Sequence, residues 1–227
     1  MTQENQLPQS AEDLEQIYRE RFGGAVSYRR QVWRNLIAGF FSRYVPENAS
    51  VLDLGCGYCE FINLVRAARK FGMDLNPDAA RYAAPDVQIL AQDCSQPWNL
   101  PPASLDIVFT SNFFEHLPTK THLERTLEHA LAALRSGGRL IALGPNLRYV
   151  PGAYWDFFDH HLALTDRSLA EVIRKCGFAP ERIIPRFLPY TMSDGRRYPP
   201  SMVRLYLALP WFWRFFGKQF LIVARKP

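Results

Sequence analysis

The residues of this 227-residue chain whose types and spacing could do chemistry are three aspartates, a pair of glycines and a few histidines. Val51-Leu52-Asp53-Leu54-Gly55-Cys56-Gly57 is a short apolar run entering a turn with two glycines, and Asp53 stands two residues before the first. Asp74 closes the next strand-like run roughly 20 residues on, the interval at which a dinucleotide-type fold sets its ribose-binding carboxylate. Asp93 follows a third run, Val87-Gln88-Ile89-Leu90. In an open parallel sheet, ligands sit beyond the carboxyl ends of the strands, so each acid falls where a ligand would be reached. Gly55 and Gly57 remove side chains and let backbone approach it. Carboxylates around a bare turn suit a ligand with hydroxyls and a positive charge better than one with a pyrophosphate. Glu60 argues the same way, since a nicotinamide fingerprint has glycine there and an acid would repel phosphates. Solvated turn acids around an ordinary loop are the plainer alternative.

On this reading Asp53 receives an ammonium, directly or through water, and Asp74, followed by Leu75 and Asn76, accepts both ribose hydroxyls. Asp93 accepts from an exocyclic amine such as adenine N6, and the Cys94 N–H donates to the ring. Ser111 and Asn112 end the fourth strand-like run and lie beside a methionine moiety. Cys56 sits between the two glycines. The ligand that combines these groups is S-adenosylmethionine, and S-adenosylhomocysteine is its product.

From about Ser50 to Leu143 the chain resembles the core of the class I S-adenosylmethionine-dependent methyltransferases. The resemblance is carried by the glycine turn, Gly72-Met73-Asp74-Leu75-Asn76-Pro77, Gln92-Asp93-Cys94 and Phe114-Glu115-His116-Leu117. It implies an α/β, Rossmann-like seven-stranded sheet in order 3-2-1-4-5-7-6, with strand 7 antiparallel and helices on both faces. One position departs: Cys59 stands where a third glycine is common. A small thiol is tolerable there if the residue is helical, and its side chain would narrow the methionine end. Cys56-x-x-Cys59 as a zinc or redox pair is the weaker reading, because no second pair accompanies it.

Transfer of a methyl group from a sulfonium needs alignment and exclusion of water, and an oxygen acceptor also needs a base. His116 follows the fourth strand. His160 and His161 lie in a long segment after the fifth, among Tyr149, Tyr154, Trp155, Asp156, Phe157 and Phe158. Both loops should hang over one mouth, with an aromatic loop to stack on an acceptor and shield a cation. The alternative makes His116 a helix-entry residue and Asp159-His160 a local pair. Glu115-His116 resembles the second half of a Glu-x-x-Glu-His motif that holds a divalent ion in ubiquinone-pathway and small-RNA methyltransferases. Asn112 replaces the first glutamate and is a poorer ligand, so no metal is assigned. Ser111-Asn112-Phe113-Phe114 is neither the Asn/Asp-Pro-Pro-Tyr/Phe motif of amine methylation nor a Pro-Cys nucleophile. O-methylation of a small hydrophobic, glycan or lipid-linked acceptor is the expectation by elimination. An RNA methyltransferase and a non-catalytic cofactor-binding subunit are the alternatives.

The elements that must position these groups follow from periodicity. Helical spacing of Leu14, Ile17, Tyr18 and Phe22, and of Val32, Trp33, Leu36, Ile37, Phe40 and Phe41, predicts two helices within 11–44, an N-terminal cap over residues 1–48. Strands are expected at 50–54, 69–74, 87–91, 104–110 and 138–143, alternating with helices at 59–67, 77–83, 119–135 and 166–176, a pattern that argues for a parallel sheet covered by helices. Thr165 is an N-cap. Gly137-Gly138 separates the fourth helix from the fifth strand. Strands at 178–188 and 219–224 flank a basic, aromatic insert at about 192–217 and close one sheet edge, so that 49–227 forms one domain.

Composition bounds the partners. The net charge is +5, but Gly195 to Pro227 carries seven basic residues and no acid, leaving 20 basic and 22 acidic side chains elsewhere. A basic tail of this kind makes general nucleic-acid binding an unattractive reading. The insert's arginines, tryptophans and phenylalanines compose either a buried cap or dimer surface, an interfacial segment making peripheral membrane contact, or an RNA-stacking surface. Four cysteines, no signal-peptide pattern and no spanning run lead to a cytoplasmic expectation, with the inner membrane face as a peripheral site. Oligomeric state is not legible.

Overall fold

The computed structural model describes residues 26–190 and 198–227, and the first expected helix and part of the insert lie outside them. Seven strands form one sheet in the order β3-β2-β1-β4-β5-β7-β6, as expected. They are β1 (Ser50–Leu54), β2 (Arg69–Asp74), β3 (Val87–Ala91), β4 (Leu105–Ser111), β5 (Leu134–Pro145), β6 (Ala179–Ile184) and β7 (Gln219–Arg225). β7 runs antiparallel to both β5 and β6, and the other pairings are parallel. β1 is buried at every position, because helices cover both faces of a parallel sheet.

Strand alternation sorts the core into two layers. Leu52, Leu54, Val108 and Leu140 pack on one side, under α4 (Lys120–Ala133) and α5 (Asp166–Lys175). Val51, Ile107, Phe109 and Ile141 pack on the other. There they meet α1 (Val26–Gly39), α2 (Glu60–Leu64), α3 (Ala79–Tyr82), α6 (Pro200–Ala208) and α7 (Trp213–Phe216). Thr165 caps α5 as expected, in a capping box with Ser168.

Two elements differ from expectation. β5 begins at Leu134, directly after α4, and carries the glycine pair inside it. Gly137 takes φ +78°, and the pairing of β4 with β5 is irregular there, so these glycines shape a bulge rather than a break. The C-terminal insert is helical in its described part. Leu207 and Trp213 are buried, whereas Met202, Leu205, Trp211, Phe215 and Phe216 are exposed, so burial against the sheet accounts for only some of its apolar side chains.

Candidate active site

The strand order reverses between β1 and β4, and the loops leaving these two strands flank a cavity of about 1250 Å³. Backbone hydrogen bonds build its floor. The Gly55 and Cys56 N–H groups donate to the Met73 carbonyl at 2.8 and 3.1 Å, tying the glycine turn to the end of β2. The Gly57 N–H donates to Asp74 Oδ2 at 2.8 Å, and the Asn76 N–H to Asp74 Oδ1 at 2.9 Å. Asp74 therefore holds the turn as well as facing the cavity.

Gly55 has φ +70°, and an added Cβ would lie 2.3 Å from the Phe113 ring. Gly55→Ala will accordingly destabilise the fold by about 2–4 kcal/mol, from left-handed strain plus overpacking, read as a lowered midpoint in thermal or urea unfolding.

Asp53, Gly55, Cys56, Gly57, Asp74, Leu75, Asp93, Cys94, Ser111 and Asn112 all line the cavity. Asn76 does not: its side chain accepts from the Asp78 N–H, and it supports the turn. The Asp93 carboxylate accepts from the Ser95 N–H at 2.8 Å, which shapes that loop. Asn112 takes φ +50°, a left-handed conformation that asparagine tolerates. Its Oδ1 is buried and accepts no hydrogen bond among the described residues.

Cys59 corrects an expectation. It takes φ +58° as the N-cap of α2 and is not helical. Its thiol is buried, 3.6 Å from the Ala79 carbonyl and 3.8 Å from the Cys56 sulfur, and does not line the cavity. The methionine end is thus not narrowed by it.

Glu60, read from sequence only as a bar to phosphate, joins Asp53 and Asp74 at the cavity wall. Burial, then repulsion from Glu60, pushes the Asp53 carboxyl well above its ordinary range. Burial also raises Glu60 and Asp74, although Arg29 opposes the shift at Glu60, and the Asn76 and Gly57 N–H groups oppose it at Asp74. Arg29 meets Glu60 at 2.7 Å and lies over the Tyr58 ring. Desolvated, mutually repelling carboxylates make a cavity that favours a cation. Together with the orphaned Asn112 oxygen, this fits a ligand bearing an ammonium and a sulfonium.

The two histidine loops meet as expected. His116 Nδ1 lies 3.0 Å from the Asp159 carbonyl and 3.1 Å from its carboxylate. Both are acceptors, so Nδ1 carries the proton and Nε2 is left as the basic nitrogen. Burial pulls the imidazole down, but the Asp159 hydrogen bond and the charges of Glu115 and Asp159 outweigh it and leave its pKa raised. Asp159 thus meets His116, 43 residues away along the chain. His160 is buried, stacked on Phe157 and edge-on to His116 at 4.8 Å. His161 is exposed, and its N–H donates to the Glu115 carbonyl.

Within the aromatic loop, Phe157 and Phe158 line the cavity. Tyr154 does not; it is fully buried and holds the loop through the Leu162 carbonyl and the Leu164 N–H. Burial pushes the Glu115 carboxyl up to about 7. Glu115, His116 and His160 could each offer one ligand atom, all within 4.8 Å of one another. That donor set would suit a transition-type divalent ion.

Known proteins place these features in a family. A family model describing a methyltransferase domain matches residues 25–183. No curated protein sequence matches the chain. A possible histamine N-methyltransferase from Thermotoga maritima superposes with a TM-score of 0.70 at 18% identity, over 94% of this chain and 98% of that one. A SAM-dependent methyltransferase from Archaeoglobus fulgidus gives 0.68 at 20% identity, over 94% and 100%. A chain from the complex of the Haloferax volcanii Trm112 methyltransferase activator with a methyltransferase gives 0.65 at 18%, over 92% and 94%. A cation-favouring cavity at the switch point, a sheet of this order and a family match over most of the chain agree: it belongs to the class I S-adenosylmethionine-dependent methyltransferases.

Proposed function

We propose that this enzyme methylates an oxygen of a hydrophobic or lipid-linked acceptor, with His116 as the base and Asp159 orienting it. The observation that carries the reading is the Asp159–His116 pair at the wall of the cavity that also holds Asp74. His116 is close enough for its charge to lower the Asp74 pKa. The cofactor supplies an electrophilic methyl group on a sulfonium. Asp74 would hold its ribose, Asp53 and Asn112 its amino-acid end, and Asp93 with the Cys94 N–H its adenine. Ser111, Gly55, Cys56, Gly57 and Leu75 would complete its walls. The N-terminal cap contributes Tyr28, Arg29 and Trp33 to the same cavity.

His116 Nε2 would take the acceptor's proton while Nδ1 donates to Asp159. Phe157 and Phe158 would exclude water. The cavity exceeds the roughly 300–1,000 Å³ of an ordinary ligand pocket, leaving room for a second molecule beside the cofactor. Phe113, Leu188 and Phe212 in its lining favour an apolar acceptor. Four free thiols, three of them buried, suit a reducing, cytoplasmic compartment.

Purified protein given methyl-labelled S-adenosylmethionine and a panel of lipid-soluble phenols and alcohols will yield a methyl ether identified by mass spectrometry. Label confined to amines or to RNA would overturn the reading, and absence of any transfer would favour a cofactor-binding subunit instead. The Haloferax complex makes a protein partner worth including in that assay. A second reading rests on the proximity of Glu115, His116 and His160, which would hold a divalent ion that polarises the acceptor oxygen. Loss of turnover on chelation, restored by added metal, separates it from a metal-free base.

A further inference from the structure

We propose that the layer formed by α1, α6 and α7 docks on an anionic lipid bilayer and opens the acceptor cavity toward it. The inference deepens the hydrophobic-acceptor reading and rests on it.

α1 and α6 form one layer. Asn35 Nδ2 donates to the Pro200 carbonyl at 3.0 Å, the Tyr198 N–H donates to the Tyr28 hydroxyl at 3.0 Å, and Gly39 sits against Leu207. Residues 26–46 and 198–218, which contain this layer, carry seven basic side chains and no acid. Arg29 turns inward to Glu60, but Arg30, Arg34, Arg204 and Arg214 are exposed and have no ion-pair partner among the described residues.

The same layer exposes large apolar groups: Leu205 at 60%, Trp211 at 57%, Phe215 at 66% and Phe216 at 57%. Leu205, Phe215 and Phe216 also line the cavity, as does Phe158, which is 91% exposed. The mouth of the cavity is therefore rimmed by the side chains that would otherwise meet water. No helix among the described residues is long and apolar enough to cross a membrane, so the segment would lie on the surface. Arginine beside tryptophan and phenylalanine on short helices is suited to the headgroup boundary, where the cation meets lipid phosphate and the ring meets acyl chain. A protein covering this patch would seal the acceptor's entrance, whereas a bilayer would supply the acceptor through it.

Full-length protein is floated with vesicles of phosphatidylcholine alone or of phosphatidylcholine mixed with phosphatidylglycerol, at low and high salt. Binding is expected to the anionic vesicles, weakened by salt. Arg204→Glu combined with Arg214→Glu should reduce partition by about tenfold or more, since each arginine near an anionic surface contributes roughly fivefold and the charge is reversed. Trp211→Ser should also weaken it. None of these residues lines the cavity, so calorimetric binding of S-adenosylmethionine should be unchanged and certifies folding. Failure to float with anionic vesicles at low salt would overturn the proposal, as would partition indifferent to these variants. So would a stable dimer that Trp211→Ser dissociates. The readout is partition, not turnover, so its failure leaves the O-methylation reading standing, and failure of that reading leaves the partition measurement valid.

Discussion

Asp74→Ala will weaken S-adenosylmethionine binding by about 10²–10⁴-fold, measured calorimetrically, because it would remove two charge-assisted hydrogen bonds to the ribose worth roughly 1.5–3 kcal/mol each. A carboxylate offers about four acceptor sites, and the Gly57 and Asn76 N–H groups take two of those on Asp74. The remainder are available to vicinal ribose hydroxyls. Those backbone bonds also oppose the upward push of burial and favour the ionised form that a hydroxyl donor prefers. Loss of the side chain additionally frees the glycine turn, whose Gly57 N–H would be left without its acceptor. Asp74→Asn should fall between, because an amide keeps one acceptor oxygen but turns an N–H₂ toward one of the two backbone donors. Asp93 and the adenine it would contact lie at the end of a different strand, so Asp93→Ala should weaken binding less, by about 10–10²-fold, the worth of one such bond. Binding of Asp74→Ala within about threefold of the parent would remove the ribose assignment.

The clustering of the residues proposed for the cofactor was legible because it is local. Asp53, Gly55 and Gly57 lie within five residues of one another, and Asp74 ends the adjacent parallel strand, so strand alternation and one turn place them together. The seven-strand order followed from the resemblance, and periodicity placed most of its strands. The acceptor half was not legible in the same way. Asp159 reaches His116 across 43 residues because the Glu115 carbonyl accepts from both the His161 and Leu162 N–H groups and clamps the second loop beside the first. Nothing in composition signals such a clamp. Glu60 was visible only as an acid in the wrong place for phosphate, and its place beside Asp53, whose carboxyl pKa it helps raise, needed the fold of α2. Cys59 violates the expectation of a helical residue, since a left-handed N-cap cannot be told from a helix start without φ. The helices of the insert went unpredicted because prolines and aromatics at 198–217 conceal a short amphipathic period.

His116→Ala should lower kcat by about 10²–10⁴-fold, the usual worth of a positioned general base, while leaving S-adenosylmethionine affinity nearly unchanged. The pH profile separates this role from a structural one. A base works in its neutral form, so the rate rises with pH through the His116 pKa and levels above it. Among the groups acting on His116, burial lowers that pKa, and Asp159 and Glu115 raise it by favouring the cation. Asp159→Asn keeps the shape but removes the charge, so the rising limb should move to lower pH. The plateau should also fall, because a weaker base takes the proton less readily. Freed from its carboxylate, the imidazole also loses part of the hold on its tautomer, although the Asp159 carbonyl still accepts from Nδ1. His160→Ala should cost packing against Phe157 and Tyr154 without displacing the limb. If His116 only braced the loop, its variants would lose activity in step with stability and the limb would stay where it is. A parent limb that persists unchanged in His116→Ala would show that the proton leaves by another route.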